Sequence, residues 1–129
     1  MNIDLLALVS GIMLLEYFVF MAAVGAARGK AGIDAPAMSG DDLFERTLRV
    51  QENTLEQLIY VLPSMWLFGY YISSVWAAGL GAAFILGRII YFIGYRAAPG
   101  KRATGFLIGW AAAMVMLIGG LWGALRTFL

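Results

Sequence analysis

The chain has 129 residues, of which 62% are hydrophobic and 13% charged, with a formal net charge of +1 and a mean hydropathy of +0.83. Those values describe a single-domain integral membrane protein and exclude the basic surface on which nucleic-acid binding depends. With no cysteine and no histidine, the chain forms no disulfide, offers no thiol nucleophile and supplies no ordinary zinc, haem or iron–sulfur site, so no metal is expected.

The pattern predicts an all-α membrane protein, a bundle of four transmembrane helices at about 3–27, 41–71, 75–95 and 103–126. Residues 3–27 are apolar apart from Asp4, Ser10 and Glu16, and at about 1.5 Å per residue they are long enough to cross a hydrocarbon core of about 30 Å. Arg28 and Lys30 follow this apolar run instead of preceding it, which predicts a retained span and not a secretory leader. Residues 29–40 have loop composition, and Ser39 or Asp41 is positioned to cap the second helix.

That second helix is about 46 Å long, more than a bilayer core requires, so its polar first half is expected in the headgroup layer. Pro63 is expected to bend its apolar half. The third helix carries Arg88, Tyr91 and Tyr95 on one face, and Pro99-Gly100, flanked by Arg96, Lys101 and Arg102, marks the turn into the fourth. Arg28, Lys30, Arg46, Arg49, Arg96, Lys101 and Arg102 all fall on the side of the first and third loops, against Arg126 on the other side. The bias of basic residues toward the inner face predicts that this side is cytoplasmic. There is no internal repeat.

One stretch stands apart. Residues 45–57 crowd Glu45, Arg46, Arg49, Gln51, Glu52, Asn53, Glu56 and Gln57 into the start of a membrane helix. At 3.6 residues per turn Glu45, Arg49, Glu52, Asn53 and Glu56 share about a third of the circumference, whereas Gln51 lies roughly 200° from Arg49. Ionisable groups near a bilayer are costly and turn toward protein or water, which makes this cluster a candidate site. Its chemistry suits a small zwitterion: arginine pairs with carboxylate, Glu52 or Glu56 takes an ammonium, and amides and tyrosines bond a peptide. A guanidinium beside a bound thiol would lower a pKa of about 8.5 and supply thiolate at neutral pH. Polar groups on two faces of one helix suggest pockets between subunits of a homo-oligomer. Glu52 and Glu56 repel each other at i, i+4, so a cation is expected between them, supplied by Arg46, Arg88 or a ligand amine.

These residues carry a resemblance. Phe44-Glu45-Arg46 with Arg49-x-Gln51-x-Asn53-x-x-Glu56 and Pro63, then Arg88-x-x-Tyr91-Phe92-x-Gly94-Tyr95 followed by Arg102, resemble the second- and third-helix signatures of the membrane-associated proteins of eicosanoid and glutathione metabolism. That family comprises microsomal glutathione transferases and leukotriene synthases. The resemblance implies a homotrimer of four-helix subunits that binds glutathione between subunits near the cytoplasmic surface. It implies that Arg28, Arg49, Gln51, Asn53, Glu56, Tyr91 and Tyr95 hold glutathione and that Arg102 stabilises its thiolate. A lipophilic electrophile would then arrive from the membrane lipids, in the inner membrane if the source is bacterial. Gln57 stands where some members carry tyrosine, and Gly29 where some carry a second basic residue.

Other readings weigh against this one. Arg49 and its neighbouring carboxylates are also compatible with a purely structural ion-pair network. Glu16, a lone carboxylate in the first of four helices, resembles the coupling residue of small proton-driven multidrug transporters, but is read here as a buried partner of Arg88. A non-catalytic lipid-binding scaffold, which the family also contains, is disfavoured by the presence of Arg102.

Overall fold

The computed structural model describes residues 1–129 and is helical throughout. Four long helices follow one another: α1 (Ile3–Ala31), α2 (Asp42–Tyr71), α3 (Ser74–Ala97) and α4 (Ala103–Leu125). Single turns of 3-10 helix at Pro99–Lys101 and Arg126–Phe128 precede and follow α4. α2 and α3 pack on each other at the centre, and each also packs on α1 and on α4.

The helix ends explain where the observed boundaries differ from the expected ones. α1 begins at Asn2, whose side-chain oxygen accepts from Leu5 N at 3.0 Å, and it continues four residues past the expected end at 27. The extension stops where Gly32 takes a left-handed conformation (φ 69°) and its N–H reaches back to the carbonyls of Arg28 and Gly29. Arg28 therefore belongs to the last turn of α1, not to a loop. Asp41 occupies the cap position of α2, yet its side chain makes no cap bond; Glu45 instead accepts from Gly40 N at 3.4 Å. Pro63 lies inside α2 without ending it. Ser73 caps α3 by accepting from Trp76 N at 3.3 Å, which leaves only Ile72 and Ser73 to join α2 to α3.

α1, α3 and the segment Pro99–Phe128 are each long and apolar enough to cross a membrane. α2 does not qualify, its first half being polar, although it packs on α1, α3 and α4. The shared core joins Leu6 and Met13 of α1, Val61 and Met65 of α2, Phe84 of α3 and Met116 of α4, all fully buried. Large apolar side chains such as Leu15, Phe18, Ile93 and Ile118 point outward, as expected of surfaces that meet lipid or other chains.

α4 approaches its partners on small residues. Gly105 and Gly109, at G-x-x-x-G spacing, lie against Gly87 of α3, where an added Cβ would stand 2.8 Å from Gly109 N and 2.9 Å from Gly105 O. A side chain at Gly105 would run into the backbone of Tyr91 and Gly87. Replacing Gly105 by Val should force α3 and α4 apart, at a cost in the range of about 1–3 kcal/mol or more seen for overpacked cores. A clear drop in the thermal midpoint of the detergent-purified protein would show this, whereas an unchanged midpoint would mean that the two helices do not need this approach.

Candidate functional site

The polar first half of α2, the second half of α3 and the start of α4 surround a cavity of about 480 Å³. Its lining consists of Arg49 and Asn53 from α2, Tyr91 and Tyr95 from α3, and Arg102, Ala103, Phe106 and Leu107 from the entry to α4. Five of the eight residues expected from sequence to form a site thus converge on one space. Helical spacing places each pair: Arg49 and Asn53 are one turn apart, as are Tyr91 and Tyr95. Arg102 arrives by the loop after α3, which folds back closely because residue 94 is glycine; a side chain there would run into the Lys101 carbonyl.

Contacts among the lining residues fix the walls. Tyr91 meets Tyr95 edge-on with ring centroids 5.4 Å apart, and Phe106 packs against Tyr91 at 6.3 Å. The Arg102 guanidinium lies 5.7 Å from the Tyr95 ring centroid. Arg102 also sits at the N-cap of α4, so the partial positive charge of the helix end adds to that of its guanidinium. The cavity therefore combines two guanidinium groups, an amide and two phenols with the apolar Phe106 and Leu107.

Arg49 is the cation that separates the two acidic residues of α2. Its NH1 lies 3.0 Å from Glu56 Oε1 and 3.6 Å from Glu52 Oε2. Neither Arg46 nor Arg88, the cations expected in that role, takes part. Arg88 points instead into the bundle, where NH1 donates to Asn53 Oδ1 at 2.7 Å. Glu56 reaches the site only through Arg49 and is itself outside the lining.

Two expected residues lie elsewhere. Gln51 faces α1, and its Nε2 donates to the Tyr17 hydroxyl at 3.1 Å. Arg28 donates to the carbonyls of Ala37 (2.6 Å) and Ile33 (3.4 Å) and lies over the Phe44 ring at 4.6 Å. The Gln51 position follows from its separation of roughly 200° from Arg49 around α2, which turns Gln51 toward α1 and Arg49 toward the cavity, whereas Arg28 is held by the chain that follows its own helix. Gln57 is buried with its Oε1 unbonded and does not line the cavity. Glu16 is 9% exposed and near enough to Arg88 for their charges to interact, but they form no direct ion pair and neither carboxylate oxygen has a hydrogen-bond partner. Phe106 and Leu107 were not singled out from sequence; the usable signal was that Phe106 lies one turn beyond Arg102 on the same face of α4.

Residues 6–122 match the MAPEG family. The chain belongs to that family. Similar proteins include an uncharacterized protein of Synechocystis sp., 46% identical over 115 residues, covering 89% of this chain and 84% of that protein. Human microsomal glutathione S-transferase 2 is 36% identical over 128 residues, covering 99% of this chain and 87% of the human protein. Mouse leukotriene C4 synthase is 32% identical over 138 residues, with 99% and 91% covered. Membership of the MAPEG family, together with three apolar helices, makes this an integral membrane protein. In this MAPEG protein the transporter reading of Glu16 finds no support among the relatives named.

The Arg49–Glu56 pair is exposed, at 45% and 58% of the two side chains. Exposed pairs contribute about 0–1 kcal/mol to stability. Glu56→Ala should therefore leave the thermal midpoint nearly unchanged, with Arg49 keeping Glu52 as its partner, and a large loss of stability would show instead that the pair is structural.

Proposed function

We propose that this protein is a glutathione-dependent transferase, with a peroxidase activity open to it, acting on lipophilic electrophiles at a membrane surface. The observation that carries the reading is the convergence of Arg49, Asn53, Tyr91, Tyr95 and Arg102 on one cavity with an apolar wall of Phe106 and Leu107. The relatives include proteins named as microsomal glutathione S-transferases and leukotriene C4 synthases, which supports glutathione as the co-substrate.

Glutathione offers two carboxylates, an ammonium, two amides and a thiol, and the residues at hand match these groups. Arg49 takes a carboxylate, Glu56, outside the cavity lining but 3.0 Å from Arg49, takes the ammonium of a ligand that extends past Arg49, and Asn53, Tyr91 and Tyr95 bond the amides. Arg102 carries the catalytic role. Its guanidinium and the positive end of α4 stabilise the thiolate relative to the thiol, and the thiol proton leaves to water. The sulfur then attacks an electrophilic carbon of a substrate held against Phe106 and Leu107. A C–S bond forms as the leaving group departs, or as the displaced electron pair takes a proton from water.

Arg28 and Gln51 lie on the α1 side of the subunit, away from the cavity, so they would contribute to a shared site only if the α1 side of one copy faced the α3–α4 side of another. This favours a homotrimer with three interfacial sites. α2 is the fourth membrane crossing in this reading. The basic residues gathered at the cavity end orient it to the cytoplasm, in the inner membrane if the source is bacterial.

Titration of the purified protein with glutathione, following thiolate absorbance and thermal stability together, tests the proposal. Wild type should show both a thiolate and a rise in stability of about 2.7 kcal/mol at a hundredfold excess over Kd. Arg102→Ala should still bind but lose the thiolate, with kcat reduced by about 10²–10³, as for the loss of one charge-stabilising donor. Arg49→Ala should weaken binding instead. Absence of any binding in wild type would leave the non-catalytic scaffold, and equal binding losses in both variants would refute the division of roles.

A further inference from the structure

Arg88 has no solvent exposure and lies behind the cavity, not in it. Its NH1 donates to Asn53 Oδ1 at 2.7 Å and to Thr54 Oγ1 at 3.3 Å, while its guanidinium stands 4.1 Å from the centroid of the Tyr91 ring. Asn53 and Tyr91 are both cavity-lining residues, so one buried side chain braces two members of the wall from the rear. We propose that Arg88 is a positioning residue that locks the Asn53 side chain with its amide nitrogen toward the cavity, making Asn53 an obligate hydrogen-bond donor to the ligand.

The assignment rests on the chemistry of the two groups. A guanidinium carries only donors, so the Asn53 oxygen must face it. The amide is planar and its nitrogen occupies the opposite corner, where no protein group bonds it. A donor there selects an acceptor on the ligand, a carbonyl or carboxylate oxygen. In the same contact the cation sits over the Tyr91 ring and holds it against Tyr95 and Phe106, which extends the bracing to the α4 wall. An arginine at this depth is expensive, and an apolar side chain of similar volume would fill the space at less cost, so its presence calls for a role beyond packing.

The donor orientation is a property of the subunit alone, whereas its consequence for glutathione rests on the function proposed above, and the experiment separates the two. In ¹⁵N-labelled protein, the Asn53 side-chain amide signals, assigned by their loss in Asn53→Asp, should shift in Arg88→Met, which removes the donor, and stay close to wild type in Arg88→Lys, which retains one. Glutathione affinity, by titration, should fall tenfold or more in Arg88→Met and less than threefold in Arg88→Lys. Asn53→Asp keeps a partner for Arg88, so it should retain the wild-type thermal midpoint while losing affinity tenfold or more, because it offers the ligand an acceptor in place of the donor. Unshifted Asn53 signals in Arg88→Met overturn the proposal, as does unchanged affinity in both Arg88→Met and Asn53→Asp. Shifted signals in a protein whose wild type binds no glutathione would support the bracing and refute the glutathione reading.

Discussion

A guanidinium with no access to water can draw partners only from the bundle, and at Arg88, NH1 alone finds hydrogen-bond acceptors, while Nε and NH2 have none. Asn53 and Thr54 of α2 accept its hydrogen bonds, the face of Tyr91 on its own helix receives its charge, and Glu16 of α1 stands at the same level. One side chain thereby ties α3 to α2. Removal of a partner from such a group costs far more than the group contributes when satisfied, so the contacts are mutually dependent. Because Asn53 and Tyr91 also face the cavity, the demand to satisfy a buried charge shapes the back of the site.

The fourth helix reaches this assembly by a different physical route. Where α3 meets α4, glycine stands at Gly87, Gly105 and Gly109, and at Gly87 and Gly105 backbone approaches backbone without intervening side chains. Within a membrane, where burial of apolar surface gives little net drive to association, such close packing supplies the attraction. Its effect on the site is direct: α4 comes near enough to set Phe106 against Tyr91, and the turn before it sets Arg102 beside Tyr95. The outcome is a cavity in which charged and hydrogen-bonding groups stand next to apolar ones, as the proposed joining of a polar thiol to a lipophilic partner requires.

Some of this organisation is local and some is not. The one-turn spacing of Arg49 with Asn53, and of Tyr91 with Tyr95, makes each pair share a face in any helix, so their convergence was readable as soon as the helices were. The end of α1 is harder to see, because the loop composition begins at Gly29 and only the left-handed Gly32 shows where the helix stops. Of the cations open to Glu52 and Glu56, Arg46, Arg88 and a ligand amine are candidates for the place between them, but Arg49, which already shares their face and is a candidate for an ion-pair network with them, takes it.

Periodicity, hydropathy and the two polar signatures, all properties of the chain as written, determined that this is a helical membrane protein of the MAPEG family with a polar cluster at one end. They also determined that Gln51 and Arg49 diverge, since a helix fixes that angle without help from its neighbours. Only the tertiary structure decided which neighbour each face meets: Gln51 bonds Tyr17, Arg88 bonds Asn53 and not a carboxylate, and Glu16 stays buried without a direct ion pair. Such choices depend on how helices distant in sequence pack and on which acceptor lies within about 3 Å of a given donor, distances that spacing along one chain does not encode.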